Sequence, residues 1–122
     1  MGWASKPNVI RDKSFAFAVR VVKMSMHLQG QKGEYVLSRQ VLRSGTAVGA
    51  LVREAEQAES KADFIHKLAI ALKEANETQY WLELLRQADI LGSKEYDSMN
   101  ADSVELIRLL TRIILSTKTN VK

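Results

Sequence analysis

Residues 37–85 read LSRQVLRSGTAVGALVREAEQAESKADFIHKLAIALKEANETQYWLELL. The stretch contains no proline and only two glycines, and it lacks the alternation of apolar and polar residues that is typical of strands. Ser60 is followed three residues later by Asp63, a spacing that resembles the capping box at the start of a helix. The stretch therefore predicts two long helices that meet near Ser60.

The remaining sequence extends this pattern to four helices. Gly30 and Gly33 predict a break before Ser38, which is a favourable N-cap residue, and Gly92 with Ser93 predicts a break after the third helix. The expected helices span about residues 11–29, 38–59, 61–91 and 94–117. Because short loops make consecutive helices antiparallel, we expect an all-α, antiparallel up-down-up-down four-helix bundle. It is predicted to be a single domain over residues 1–122, with an ordered core at about 9–117.

Composition limits the classes of protein that fit. A chain of 122 residues suits one domain, and the lack of cysteine excludes disulfide scaffolds, thiolate metal sites and cysteine nucleophiles. The N-terminal residues lack the apolar segment of a secretory signal, and no apolar run approaches the roughly 18 residues that a membrane span needs. We therefore expect a cytoplasmic protein without a membrane partner.

Catalytic patterns are absent from the sequence. A di-iron bundle needs two Glu-x-x-His pairs, whereas only Asp63 and His66 have this kind of spacing and His27 is the sole other histidine. No phosphate-binding loop, zinc-protease motif or nucleophile elbow occurs. The sequence therefore predicts a protein that is not an enzyme and that has no catalytic residues, cofactor or metal.

The first helix carries two apolar stripes where a helix at the edge of a monomeric bundle needs one. At 100° per residue, one stripe consists of Phe15, Val19, Val22 and Met26, and the nearly opposite stripe consists of Phe17, Val21, Met24 and Leu28. The third helix repeats the pattern more weakly. A wide single core is one explanation, and self-association is the favoured one. The residues predicted at an oligomer or packing interface are Phe17, Val21, Met24, Ile70 and Trp81.

Gly45 and Gly49 are four residues apart and share a face of the second helix. Each glycine costs roughly 1 kcal/mol relative to alanine in a helix interior. Two of them indicate a close approach of the backbone to another helix or to another subunit, so both are included in the predicted packing interface.

The positive charge is concentrated in the first part of the chain. Residues 1–53 contain 9 Lys or Arg and 2 Asp or Glu, whereas residues 54–122 contain 9 and 12. A basic surface on the first two helices could bind nucleic-acid phosphates without reading sequence, or it could pair with Glu74 and Glu77. The candidate nucleic-acid-binding residues are Lys13, Arg20, Lys23, Arg39 and Arg43.

The chain resembles a known family over about residues 9–117. The resemblance lies in RSGTAVGA at residues 43–50, Glu54, the Asp63-Phe64 pair and the stretch from Glu74 to the YWL of residues 80–82. These motifs are similar to the four helix bundle proteins, also called 23S rRNA intervening sequence proteins. Many members have asparagine where this chain has Leu51 and serine where it has Ala47, so any polar contact that the asparagine makes in those members is missing here.

The resemblance implies a bacterial four-helix bundle that assembles into a ring-shaped homo-oligomer, typically a pentamer. Similar bundles in diversity-generating retroelements are accessory subunits of a reverse transcriptase that interact with nucleic acid. Two functions remain open. One is binding of RNA or DNA backbone through the basic surface, and the other is a protein-interaction scaffold or accessory subunit of a nucleic-acid enzyme such as a reverse transcriptase.

Overall fold

The computed structural model describes residues 9–119, which form four α-helices. Helix α1 spans Val9–Lys32, α2 spans Val36–Glu56, α3 spans Lys61–Gln87 and α4 spans Ser93–Thr119. The all-α, four-helix prediction is confirmed.

The first break differs from its prediction. Gly30 lies inside α1, and the turn depends on Gly33 alone, which has φ +63° and so adopts the left-handed conformation that glycine favours. Helix α2 begins at Val36, and Ser38 is a buried residue within it rather than its N-cap. The Glu34 carboxylate supplies the cap, because it accepts the backbone N–H groups of Val36, Leu37 and Ser38 at 3.0, 2.8 and 2.7 Å.

The structure agrees with the predicted start of α3 but not with its predicted end. At its start the predicted cap is confirmed: Ser60 Oγ accepts the Asp63 N–H at 3.0 Å, and the Asp63 carboxylate accepts the Glu59 N–H at 3.2 Å. At its end the prediction was wrong, since α3 stops at Gln87 and not near residue 91. The chain turns at Asp89, which has φ 62°, and the Leu91 N–H reaches back to the Leu85 carbonyl at 3.0 Å.

The helices pack in the circular order α1–α2–α3–α4, and α1 and α4 pack least closely of the four neighbouring pairs. Contacts between neighbours run in opposite directions along the chain. Lys13 pairs with Glu105 while the later Arg20 pairs with the earlier Asp102, so α1 and α4 are antiparallel. Arg43 pairs with Glu77 and Glu54 with Lys67, which makes α2 and α3 antiparallel as well. This geometry agrees with the up-down-up-down prediction.

Helices α1 and α2 approach each other at the two predicted glycines. A Cβ atom at Gly45 would lie 2.8 Å from Val21 Cγ2, and one at Gly49 would lie 3.3 Å from the Ser14 carbonyl oxygen. Both glycines therefore pack inside the chain, against α1. The core they border receives buried apolar side chains from all four helices, among them Phe17, Leu68 and Leu106.

Candidate interaction surfaces

One stripe of α1 remains on the surface. Phe15, Val19, Val22 and Met26 are 57%, 39%, 39% and 68% exposed. Their spacing of four, three and four residues keeps them on one side of the helix. Large apolar side chains in such a contiguous row are unusual on a surface that meets only water.

The stripe of Phe17, Val21, Met24 and Leu28 faces the core, so this part of the predicted oligomer or packing interface is a packing contact within the chain. Phe17, Val21 and Met24 are 1%, 0% and 3% exposed, so they pack within their own chain and cannot reach a second copy. The physical reason is that the inner stripe is bordered by Ser14 and Ser25, small residues that allow α2 to come close. Ser25 Oγ donates a hydrogen bond to the Ser38 carbonyl at 3.2 Å.

Ile70 and Trp81, the α3 residues of the predicted interface, are only half-buried. Trp81 belongs to a polar network on the outer side of the α2–α3 pair. Its Nε1–H donates to Glu77 Oε2 at 3.0 Å, and the same oxygen accepts a close hydrogen bond from Arg43 Nη2. Arg43 Nη1 also reaches Glu74 at 3.3 Å. The network holds the indole edge, and its two carboxylates fully compensate the charge of Arg43.

Two further predicted cations are also paired inside the chain. Arg20 Nη1 lies 2.6 Å from Asp102 Oδ2, and its Nη2 donates to Ser98 Oγ at 2.8 Å. Lys13 Nζ lies 3.2 Å from Glu105. Both pairs join α1 to α4, so these residues act first as links between the two least closely packed helices.

Lys23 and Arg39 are the members of the predicted basic set that make no ion pair within residues 9–119. Both are exposed, and the Arg39 guanidinium lies 5.8 Å from the centre of the Tyr35 ring. Arg53 is not in the predicted set, but it is also exposed, and its guanidinium lies 5.4 Å from the Phe15 ring at one end of the exposed stripe. It follows Arg39 by fourteen residues, about four helical turns, so helical spacing places both arginines on one face of α2 and could have predicted it.

The histidines and carboxylates do not converge. Within residues 9–119, no three His, Asp or Glu side chains are placed to hold a metal ion. Asp63 is engaged as a cap, while His27 and His66 are exposed on different helices. Over the same residues, none of the four helices has the length and apolar character needed to cross a bilayer.

The sequence pattern of the 23S rRNA-intervening sequence proteins matches residues 6–112, which include α1, α2, α3 and most of α4. The chain belongs to this family. A crystal structure from Bacteroides thetaiotaomicron, described as a protein of unknown function from the S23 ribosomal protein family, superposes on it with a TM-score of 0.87. The two are 56% identical, and the match covers 88% of this chain and 96% of that chain. No curated protein sequence matches the chain.

Membership in the 23S rRNA-intervening sequence family confirms the resemblance drawn from residues 43–82. The structure brings several of those residues together: Arg43, Glu74, Glu77 and Trp81 form the α2–α3 network, and Thr78 bonds Ser44 at 2.8 Å beneath it. The family motifs thus hold α2 against α3, and they leave the surface stripe of α1 unassigned.

Proposed function

We propose that this 23S rRNA-intervening sequence protein is a non-enzymatic, homo-oligomeric binding bundle whose copies join through the α1 surface stripe. The observation that carries the proposal is the exposure of Phe15, Val19, Val22 and Met26 on the side of α1 away from the core. Scattered apolar residues on a surface are ordinary, whereas a continuous row is typical of an interface.

The spacing of the stripe supports a helical partner. Intervals of four, three and four residues average close to the 3.6 residues of a helical turn, so the stripe runs along α1 as a row against which another helix can pack. A second copy supplies such a helix without any further component. The number of copies, five, is an expectation from the family resemblance. A ring of five needs the stripe to pack against a different helix face of the next copy, because a contact of α1 with α1 closes as a dimer.

Light scattering after size exclusion tests the self-association. We expect the wild type to have a mass that is a multiple of 13.7 kDa, and the double variant Val22→Glu/Met26→Glu to fall to the monomer with its helical circular dichroism intact. Val36→Glu is the matched control, because Val36 is exposed on another helix. A monomeric wild type at micromolar concentration, or a double variant that stays assembled, would contradict the proposal.

For the ligand of the assembled bundle, we propose the phosphate backbone of RNA or DNA. The supporting observation is that Lys23, Arg39 and Arg53 are exposed and have no ion pair within residues 9–119. Repetition of these cations around an oligomer raises the affinity for a polyanion without new contacts in each copy. Recognition of this kind is independent of base sequence.

An accessory role toward a nucleic-acid enzyme, through an acidic protein surface, is the other outcome of the same experiment. Capture of partners from native lysate, with and without nuclease, separates the two. Partners that disappear after nuclease treatment support nucleic-acid binding. Partners that persist contradict it and support the scaffold.

A further inference from the structure

The outer face of the second half of α4 carries arginines whose charge is not used inside the chain. Residues 106–119 contain Arg108, Arg112 and Lys118 and no acidic residue. Arg108 and Arg112 are exposed, four residues apart on one face, and make no ion pair within residues 9–119. The nearest preceding acid, Glu105, is already bound to Lys13 at 3.2 Å.

The helix dipole does not account for these two arginines. Cations stabilise the C-terminal end of a helix, but the effect is confined to about the last turn. Lys118 occupies that turn of α4, whereas Arg112 lies seven residues before the end at Thr119 and Arg108 lies eleven before it. The end of α4 therefore does not use the charge of Arg108 or Arg112.

Hydroxyl donors accompany the arginines. Arg108, Thr111, Arg112, Leu115 and Ser116 line one open surface on α4. The hydroxyl groups of Thr111 and Ser116 make no hydrogen bond within residues 9–119, unlike those of Thr117 and Thr119, which bond backbone carbonyls. The face thus offers two guanidinium groups and two unused hydroxyls side by side.

We propose that this α4 face is a binding site for the phosphate groups of a nucleic-acid backbone. A guanidinium group donates two parallel hydrogen bonds to a phosphate, and arginines one turn apart can hold one phosphate or two adjacent ones. Thr111 and Ser116 add neutral donors of the type that commonly contacts phosphate oxygens. Leu115, which is 57% exposed, offers an apolar contact to the sugar.

The α4 face and the α1 stripe can be occupied at the same time. Lys13 and Arg20 are the α1 residues that face α4, through Glu105 and Asp102. At 100° per residue the α1 stripe lies roughly 150° around the helix from them, on the side that faces away from α4. A second copy seated on the α1 stripe therefore leaves the α4 face of that same chain open.

This inference rests on the proposed nucleic-acid binding and gives it a location different from the predicted one. The experiment measures fluorescence anisotropy of a labelled 20-mer RNA duplex against the full chain in 50–300 mM KCl. Three double variants are compared with the wild type: Arg108→Ala/Arg112→Ala, Lys23→Ala/Arg39→Ala, and the control Lys73→Ala/Lys94→Ala. All three remove two exposed cations, and none of the substituted residues is in an ion pair within residues 9–119.

We expect Arg108→Ala/Arg112→Ala to weaken binding at least tenfold at 100 mM KCl. Its slope of log affinity against log salt should also be smaller in magnitude by about 1–2, because fewer counterions are released. The control should change affinity less than threefold. Arg108→Lys/Arg112→Lys keeps the charge, and we expect it to recover only part of the loss because lysine cannot bind a phosphate with a planar fork.

The contrary outcomes are distinct. If the wild type does not bind at 50 mM KCl, both the proposed function and this site are wrong. If only Lys23→Ala/Arg39→Ala loses binding, nucleic-acid binding stands and the α4 site is wrong. An equal loss in all three double variants would show a nonspecific effect of net charge and would also overturn the site.

Discussion

Gly45 shows how one missing methyl group sets the distance between two helices. Its position four residues before Gly49 predicts a close approach, and the structure identifies the neighbour as Val21 of α1. The sequence could predict the face, since helical spacing determines it, but not the partner residue. That partner depends on the register between α1 and α2, which is fixed by contacts far apart in the chain.

Gly45→Ala should destabilise the protein by about 1–3 kcal/mol, because the new Cβ at 2.8 Å from Val21 Cγ2 forces a stiff, β-branched side chain to move. Gly30→Ala is the control, since Gly30 lies within α1, lacks a positive φ and has no atom within 4 Å of an added Cβ. We expect it to stabilise by about 0.5–1 kcal/mol through helix propensity. Urea unfolding measures both, and equal stabilities would show that the α1–α2 contact has slack.

At the scale of the element, the start of α2 is the clearest difference between prediction and structure. Ser38 matched the preferred residue type for an N-cap, yet Glu34 performs the role from outside the helix by accepting three backbone N–H groups. Glu34 is better placed because the chain turns at Gly33, which the residue-type preference does not include. Ser38 instead donates from Oγ to the Glu34 carbonyl at 2.8 Å.

Glu34→Ala should cost about 1–2 kcal/mol of stability, in the range measured for loss of a helix cap, because three N–H groups lose their common acceptor. Thermal unfolding followed by circular dichroism is the measurement. Glu83→Ala removes the same group from an exposed position on α3 that makes no hydrogen bond or ion pair within residues 9–119. It should change stability by less than about 0.5 kcal/mol. Similar melting temperatures for the two variants would argue that water caps α2 as well as Glu34 does.

The two stripes of α1 show why the candidate interface could only be half predicted. Both consist of large apolar residues, so composition indicated a two-faced helix but could not determine which face was inner. The deciding feature is the small residues beside one stripe: Ser14 lies against Gly49, and Ser25 bonds the backbone of α2. The other stripe is bordered by Asp12 and Lys23, which are exposed. The size and charge of the residues that flank each stripe can therefore predict from the sequence which stripe faces the core.

At the scale of the whole molecule, the charge asymmetry of the sequence is partly absorbed by packing. Four of the eight Lys and Arg residues between positions 9 and 53 pair with acids from later helices, as Arg20 does with Asp102 and Arg43 with Glu74 and Glu77. The partners of Arg20 and Arg43 are 31 to 82 residues away along the chain. Helical spacing predicts which residues are neighbours on the same helix, but not which residues of two different helices meet. The net charge of each half of the chain therefore could not show which cations remain without an ion-pair partner. The available arginines of α4 were missed for the same reason.

The ion pairs between α1 and α4 are expected to couple these two helices measurably, since the helices pack less closely than any other neighbouring pair. A double-mutant cycle of Arg20→Ala and Asp102→Ala should give a coupling energy of about 0.5–1 kcal/mol, the upper range for exposed pairs. In 1 M NaCl the coupling should fall by more than half, because the screening length shrinks to about 3 Å. Arg86 and Asp89 form the control pair, because Arg86 Nη1 lies 3.7 Å from Asp89 Oδ1 and the Asp89 carboxylate is strongly exposed. We expect their coupling energy to be under about 0.3 kcal/mol. If the coupling energy between Arg20 and Asp102 is no larger than that between Arg86 and Asp89, apolar contacts with α3 hold α4 in place. Arg20 would then be as free to bind a phosphate as the unpaired arginines are.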